Sequence, residues 1–104
     1  MLKDVVKILE SLKLKPSDLR IYNLLLEKPE LSVKEIAKEL NLSTRFVRER
    51  LKELHRMGII KRKLVERGWI GYVYGAEEPK VVVARIKNHL LAEFGKLENI
   101  LESF

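Results

Sequence analysis

The sequence contains no cysteine and no glutamine, and none of its apolar runs is long. Without cysteine, the chain can form neither a disulfide framework nor a thiolate metal site, which is typical of a cytoplasmic protein. No run of eighteen apolar residues occurs, so we expect no membrane-spanning helix. The missing glutamine, together with the many lysines and glutamates, favours a thermophilic source.

Residue sets that usually carry catalysis are missing as well. His55 and His89 have neither the spacing of a metal-binding pair nor a cysteine to join them, so we expect no metal site. The sequence has no glycine-rich phosphate loop and no Ser, His and Asp set that suggests nucleophilic chemistry. We therefore expect that the protein is not an enzyme and that it binds no cofactor.

The 104 residues that are present fit one small globular domain, since 46% are hydrophobic and 35% are charged. The formal net charge is +6. Between Ser43 and Lys63 lie eight basic and two acidic residues, so this segment alone accounts for the whole excess. A local concentration of positive charge indicates a surface that meets an acidic partner such as nucleic acid.

Apolar spacing and capping residues predict four helices in the first half of the chain. In the second of them, Leu19, Tyr22 and Leu26, flanked by Ile21 and Leu25, are predicted to form the buried stripe. The four predicted helices are Leu2–Leu12, a segment from Pro16 that stops before Pro29, a segment that follows the Ser32–Glu35 capping box and ends at Asn41, and Ser43–Met57, which ends at Gly58.

The linker between the third and fourth predicted helices has about three residues, the length found in a helix-turn-helix. After Gly58, β-branched and aromatic residues predict a hairpin with strands Ile59–Glu66 and Trp69–Tyr74 and a turn at Arg67-Gly68. A long helix is predicted from Pro79 to the C-terminus, because apolar residues recur there at three- and four-residue steps.

The predicted helix Ser43–Met57 has a core face formed by Val47, Leu51 and Leu54. Its opposite face is nearly all of one sign, whereas an ordinary solvated face interleaves both signs. Lys and Arg can neutralise phosphates, and the arginine fork matches the edge of guanine. We expect Thr44, Arg45, Arg48 and Glu49 to reach base edges, and Lys52 and Arg56 to meet phosphates.

Two residues of this helix have open roles. Arg50 lies on the core flank and is expected to pair with Glu53 or with an acid on another helix. Phe46 precedes the core residue Val47, so it packs against a neighbouring helix or touches a thymine methyl group. If Glu49 meets no base, we expect it to hold an arginine in place.

The stretch SVKEIAKELNLSTRFVRERLKELHRMGII, followed by WIGYVYG, resembles the winged helix-turn-helix regulators. The archaeal TrmB-like family is the nearest resemblance, with the MarR and ArsR groups next. The resemblance implies a mainly α fold with a small β-hairpin: a winged helix-turn-helix DNA-binding domain over residues 1–76 and an added long helix over residues 77–104. It implies DNA contacts from the recognition helix and from the wing, namely Ser43, Thr44, Arg45, Arg48, Glu49, Lys52 and Arg56, and Lys61, Lys63 and Arg67.

The chain also departs from that family. Larger TrmB-like regulators carry a sugar-binding domain after the DNA-binding part, so no effector site can be carried over, and any effector is unknown. The segment around Arg67-Gly68-Trp69 is short for a wing. We therefore expect Trp69 to pack across the hairpin rather than to insert into DNA.

The apolar stripe of the C-terminal helix needs a covering surface. It could pack on the helix Leu2–Leu12 of the same chain, but its last residues lie beyond the reach of a small core. We expect it to pair with the same helix of a second chain, through Leu90, Phe94, Leu97, Leu101 and Phe104.

The sequence thus predicts a homodimeric, sequence-specific double-stranded DNA-binding regulator of transcription. One alternative is a winged helix that serves protein interaction in a transcription or replication assembly. Such a module should carry an apolar patch on the segment Ser43–Met57. A further alternative is an RNA-binding winged helix.

Overall fold

The structure is a computed structural model that describes residues 12–66 and 68–103. The prediction of a helix over Leu2–Leu12 therefore lies outside the described residues, apart from Leu12 itself. The described elements follow the predicted order, with four helices and one two-stranded antiparallel sheet. They are α1 (Pro16–Glu27), α2 (Val33–Leu40), α3 (Thr44–Arg56), β1 (Ile60–Glu66), β2 (Ile70–Ala76) and α4 (Pro79–Glu102).

The ends of α2 and α3 are set by local hydrogen bonds that the sequence predicted. The Glu35 backbone N–H donates to Ser32 Oγ over 3.2 Å, and the Ser32 N–H donates to the Glu35 carboxylate over 3.0 Å. Asn41 ends α2 in the left-handed conformation, with φ 54°. The Phe46 N–H donates to Ser43 Oγ over 3.1 Å and starts α3. Such caps satisfy backbone groups that a helix end leaves unpaired.

The core lies between α1, α2, α3 and the base of the hairpin. Its fully buried side chains are Ile21, Leu25, Ile36, Val47, Leu51, Leu54 and Ile60. The prediction for α1 was wrong for Leu19 and Leu26, which are 64% and 46% exposed, whereas Ile21 and Leu25 at its flank are buried and Tyr22 packs against the core. The buried side of α1 carries Ile21, Leu24 and Leu25 together with Asp18, whose carboxylate accepts hydrogen bonds from the buried Arg50.

A single antiparallel bridge outside the two strands attaches the hairpin to the rest of the domain. Leu31 and Tyr74 exchange backbone hydrogen bonds of 3.1 and 2.8 Å. A Cβ at Gly75 would lie 2.6 Å from the carbonyl oxygen of Pro29, so glycine allows this close approach. The first strand ends at Glu66 as predicted, the other strand bounds lie one or two residues later than predicted, and the turn contains Gly68 at φ 72°.

The start of α4 is fixed to the body, and the rest extends away from it. The Tyr22 hydroxyl donates to the Glu77 carbonyl over 2.8 Å, and burial, with Glu77 nearby, raises the pKa of Tyr22. Arg85 donates to the carbonyl of Gly58. Val82 is the one buried residue of α4, and Ile86 packs against the core. Within the described residues, no helix is both long and apolar enough to cross a membrane.

Candidate nucleic-acid interface

The orientation of α3 is fixed by a buried ion pair with α1. Arg50 Nε donates to Asp18 Oδ1 over 2.8 Å, and Arg50 Nη2 donates to Asp18 Oδ2 over 2.7 Å. Arg50 also donates to the Lys13 carbonyl, and Asp18 accepts from the Lys15 N–H. The hydrogen bond to Asp18 raises the pKa of Arg50. Of the two expected partners, the acid on another helix is confirmed, and α3 is held at a defined rotation.

With that rotation fixed, the basic face of α3 is turned to solvent. Arg45, Arg48 and Lys52 are all exposed. No carboxylate of the described residues lies within 4.0 Å of their charged groups, since the ion pairs there involve other cations. Thr44 and Ser43 are exposed at the start of the same helix. The basic α3 face that the sequence predicted is therefore present, and no carboxylate of residues 12–66 and 68–103 neutralises these three side chains.

Two residues of this face have partners that the sequence did not assign. Arg56 donates to the carboxylate of Glu53, which holds the pKa of Glu53 below its usual value. Part of the Arg56 charge is thus neutralised. Glu49 lies 3.9 Å from Lys15 Nζ, so the cation it meets is a lysine and not the expected arginine.

Phe46 is half-buried and lies beside the segment that precedes α1. Lys15 Nζ is 5.7 Å from the centroid of its ring. At that distance the cation can interact with the face of the ring. Phe46 therefore has a neighbour within the chain, as the packing interpretation expected, although that neighbour is a residue before the helix.

The hairpin presents its lysines and its arginine on opposite faces. Lys61 pairs with Gly75 in the strand register, Arg62 with Tyr74 and Lys63 with Val73, and side chains alternate along a strand. Lys63 Nζ lies 3.3 Å from the carboxylate of Glu30. Lys61 and Lys63 are exposed but face away from α3. Arg67, the third predicted wing residue, lies outside the described residues.

Sequence reasoning missed the residues that connect the hairpin to α3. The Arg62 guanidinium lies 4.3 Å from the centroid of the Tyr72 ring. Arg62 and Tyr72 face Arg48 and Lys52 across a groove. The register of the hairpin is the signal that could have found them, since residues 62, 72 and 74 share one face once that register is known.

Trp69 folds back along its own strand. Its ring lies where a Cβ at Gly71 would be, so glycine leaves room for it. Trp69 thus packs against its own side of the hairpin at Gly71, the expected packing across the hairpin stays a prediction, and part of the ring is exposed beside the groove.

The predicted dimer residues of α4 lie on one side of the helix. Phe94 is 39% exposed and Leu101 is 46% exposed, while Leu90 and Leu97 are half-buried. Phe104 lies outside the described residues. Across residues 12–66 and 68–103, no three His, Asp or Glu side chains are grouped as a metal site would require.

Comparison with known proteins agrees with this arrangement. Residues 14–61 match the family model described as winged helix-turn-helix DNA-binding. The sequence matches no curated protein at a significant level. A solved structure described as a possible transcriptional regulator from Methanosarcina mazei is 21% identical, with a TM-score of 0.77 and coverage of 96% of this chain and 88% of that chain.

Two further solved structures share the architecture. The ST1889 protein from the thermoacidophilic archaeon Sulfolobus tokodaii is 20% identical, with a TM-score of 0.63 over 96% of this chain and 97% of that one. The reduced form of the transcriptional regulator YodB from B. subtilis is 25% identical, with a TM-score of 0.58 over 90% and 85%. The fold is therefore a winged helix-turn-helix with an added C-terminal helix, in which α2 and α3 form the helix-turn-helix and the hairpin is the wing.

Proposed function

We propose that the protein is a homodimeric regulator of transcription that binds double-stranded DNA sequence-specifically through α3. The observation that carries the proposal is the exposed face of Arg45, Arg48 and Lys52, which no carboxylate of the described residues neutralises. A helix of this shape and charge fits the major groove, and a hairpin beside it can follow the neighbouring backbone.

The position of each side chain along α3 suggests its role. Arg45 and Arg48 lie in the first two turns, where a recognition helix meets base edges, and an arginine can bind O6 and N7 of guanine together. Lys52 lies further along and would neutralise a phosphate, which adds affinity without sequence information. The buried Asp18–Arg50 pair supports this division, because it prevents α3 from rotating about its axis.

The relatives support the same function. The family model that matches residues 14–61 is described as DNA-binding. The M. mazei protein and YodB are described as transcriptional regulators, the former as a possible one. The protein-interaction alternative is disfavoured because it requires an apolar outer face on α3, and the face found is basic. A relationship to TrmB-like regulators and an archaeal, thermophilic source remain predictions.

A dimer would suit this function. Pairing of the α4 stripes about a two-fold axis would present two α3 helices to one face of DNA. Recognition helices of such dimers lie about 34 Å apart, which is one turn of the double helix. We therefore expect a palindrome-like site, and we assign residues 77–104 to dimerisation.

The test is to select bound fragments from random duplex DNA and then to measure variants on the selected site. Arg45→Ala and Arg48→Ala should each cost roughly 1–3 kcal/mol on that site and relax its sequence preference. Lys52→Ala should weaken binding to all duplexes alike. The slope of the logarithm of the affinity against the logarithm of the salt concentration should become less negative by about one.

Lys80→Ala is a matched control, because it removes one positive charge from an exposed position outside α3 and the hairpin. The affinity of this variant for the selected duplex should equal that of the unchanged protein. The assignment of α3 would be wrong if Arg45→Ala, Arg48→Ala and Lys80→Ala all bound alike. An equal preference for RNA duplexes at fixed salt would favour the RNA-binding alternative.

A further inference from the structure

The outward side of α3 contains an acid among its basic residues, and a lysine from another part of the chain lies beside it. The acid is Glu49, which follows Arg48 directly. Lys15, which precedes α1, has its Nζ atom 3.9 Å from Glu49 Oε1. The two side chains are 50% and 64% exposed, so a ligand that covers α3 can reach both of them.

Lys15 is held against α3 by two further contacts. Its backbone N–H donates to Asp18 Oδ2 over 2.7 Å, and Asp18 is itself joined to Arg50 of α3. Its Nζ atom also lies 5.7 Å from the centroid of the Phe46 ring, within the range of a cation–π contact. Lys15 therefore meets α3 at Phe46 and at Glu49, which is three residues further along the helix.

This contact lies on one flank of α3, and the hairpin lies on the other. Arg48 and Lys52 line the groove beside the hairpin. An α-helix turns by about 100° per residue, which places Phe46 nearly opposite Arg48, with Glu49 between them. Lys15 thus draws the Glu49 carboxylate towards the Phe46 flank and away from Arg48 and Lys52.

The direction of the Glu49 carboxylate decides what it can do on DNA. A carboxylate turned to the centre of the basic face can accept a hydrogen bond from the amino group of cytosine. A carboxylate held on the flank reaches no base edge, and the neighbouring ammonium group offsets its charge. The same residue therefore reads a base in one position and reads none in the other.

We infer that Lys15 is a positioning residue that holds Glu49 on the flank of α3. Glu49 then reads no base, and the sequence preference comes from the arginines Arg45 and Arg48. The inference rests on the proposed function, because it concerns how α3 reads DNA. An exposed ion pair shifts an equilibrium by no more than about fivefold, which is enough to change the preferred base at one position.

The test compares the sites that the unchanged protein and Lys15→Met select from random duplex DNA. Methionine keeps the length of the lysine stem and removes the charge. Lys15→Met should gain a preference for cytosine at one position of the site, because the freed Glu49 carboxylate can reach its amino group. The affinity of this variant for the original site should fall about two- to fivefold. Lys15→Arg keeps the charge and should select the original site.

Glu49→Ala shows whether Lys15 acts through Glu49 or by itself. Alone, this change should leave the selected site as it is, because Glu49 reads no base in the unchanged protein. Adding Lys15→Met to Glu49→Ala should alter neither the selected site nor the affinity. Lys28→Met is a matched control, since Lys28 forms an exposed ion pair with Glu39 outside α3 and the hairpin. It should bind as the unchanged protein does, and circular dichroism checks that each variant is folded.

Three results would contradict the inference. If Lys15→Met selects the original site, Lys15 does not hold Glu49. If Lys15→Met weakens Glu49→Ala as much as it weakens the unchanged protein, Lys15 contacts a phosphate directly. If Glu49→Ala alone loses a base preference, Glu49 reads DNA with Lys15 in place. In all three cases the unchanged protein selects a duplex and the proposed function stands, whereas an unchanged protein that selects none contradicts the proposed function and this inference with it.

Discussion

Asp18 and Arg50 are joined by two hydrogen bonds inside the core and are 3% and 4% exposed. Asp18 also accepts from the Lys15 N–H and Arg50 also donates to the Lys13 carbonyl. Burial of both charges is tolerable because they pair with each other, and no buried side-chain nitrogen or oxygen of the described residues lacks a hydrogen-bond partner. Loss of either partner would leave the other charged, buried and without compensation.

We predict that Asp18→Asn and Arg50→Met each reduce the free energy of unfolding by about 3–5 kcal/mol. Urea denaturation followed by circular dichroism measures this change. The double variant should lose much less than the sum of the two single variants, because the penalty comes from the unpaired charge.

The exposed pair of Lys28 and Glu39 provides the control for this experiment. Its atoms lie 2.9 Å apart, but the two side chains are 52% and 45% exposed. Glu39→Gln should therefore cost no more than about 1 kcal/mol. If Asp18→Asn also reduced the free energy of unfolding by no more than about 1 kcal/mol, the buried pair would not be what fixes the position of α3.

The Asp18–Arg50 pair also marks what could not be predicted from the sequence. Arg50 was expected to find an acid, but its partner lies 32 residues earlier, and no local pattern points to that distance. The same contact explains the error for Leu19 and Leu26. The inward carboxylate of Asp18 centres the buried side of α1 on Ile21, Leu24 and Leu25, which the apolar spacing placed at the flank of the stripe or left out.

Among the helices, α4 contains a glycine, Gly95, that lowers the stability of the helix, and no neighbouring atom explains why a glycine is there. Gly95 lies inside the helix, and a Cβ built there has no atom within 4 Å. Glycine in a helix interior costs about 1 kcal/mol relative to alanine. By helical spacing, Gly95 lies away from the side that carries Leu90, Phe94 and Leu101, so no close contact with a second α4 requires it.

We predict that Gly95→Ala stabilises the middle of α4. Amide hydrogen exchange over residues 92–99 should slow by about fivefold, the factor that corresponds to 1 kcal/mol. Ala84→Gly is the reverse change at an exposed position on the same side of the helix and should speed local exchange by a similar factor. A loss of association in Gly95→Ala would instead place Gly95 in the dimer interface.

Helix bounds were predictable because their signals are local. The Ser32–Glu35 capping box, the Ser43 cap and the left-handed Asn41 act within four residues, and all three are present in the structure. The groove was not predictable, since it depends on the pairing of Arg62 with Tyr74 and on the angle between the hairpin and α3. Distances between elements are set by packing, which the sequence does not show directly.

For the molecule as a whole, the excess positive charge lies in one segment of the chain. Outside residues 43–63, the numbers of basic and acidic residues are equal. Inside that segment, Arg50 is buried, Arg56 and Lys63 meet carboxylates, and Lys61 faces away from α3, which leaves Arg45, Arg48, Lys52 and Arg62 for an acidic partner. A single helix that presents three of these charges binds DNA weakly by itself, and two copies held at a fixed spacing bind far better.

The apolar stripe of α4 is the surface from which such a spacing would come. Val83, Ile86, Leu90, Phe94, Leu97 and Leu101 follow one side of the helix, and several of them are exposed in the single chain. We predict that Phe94→Glu or Leu101→Glu converts a dimer into a monomer, because each places a charge in an apolar interface. Light scattering across a range of protein concentrations measures the mass directly.

Ala92→Glu is the matched control, since it introduces the same charge on the opposite side of α4 and should leave the dimer intact. The monomeric variants should also lose affinity for a palindromic duplex while they bind a single half-site as the unchanged protein does. That combination separates a failure of pairing from damage to α3. A monomeric mass for the unchanged protein at tens of micromolar would contradict the dimer, and the α4 stripe would then need another partner.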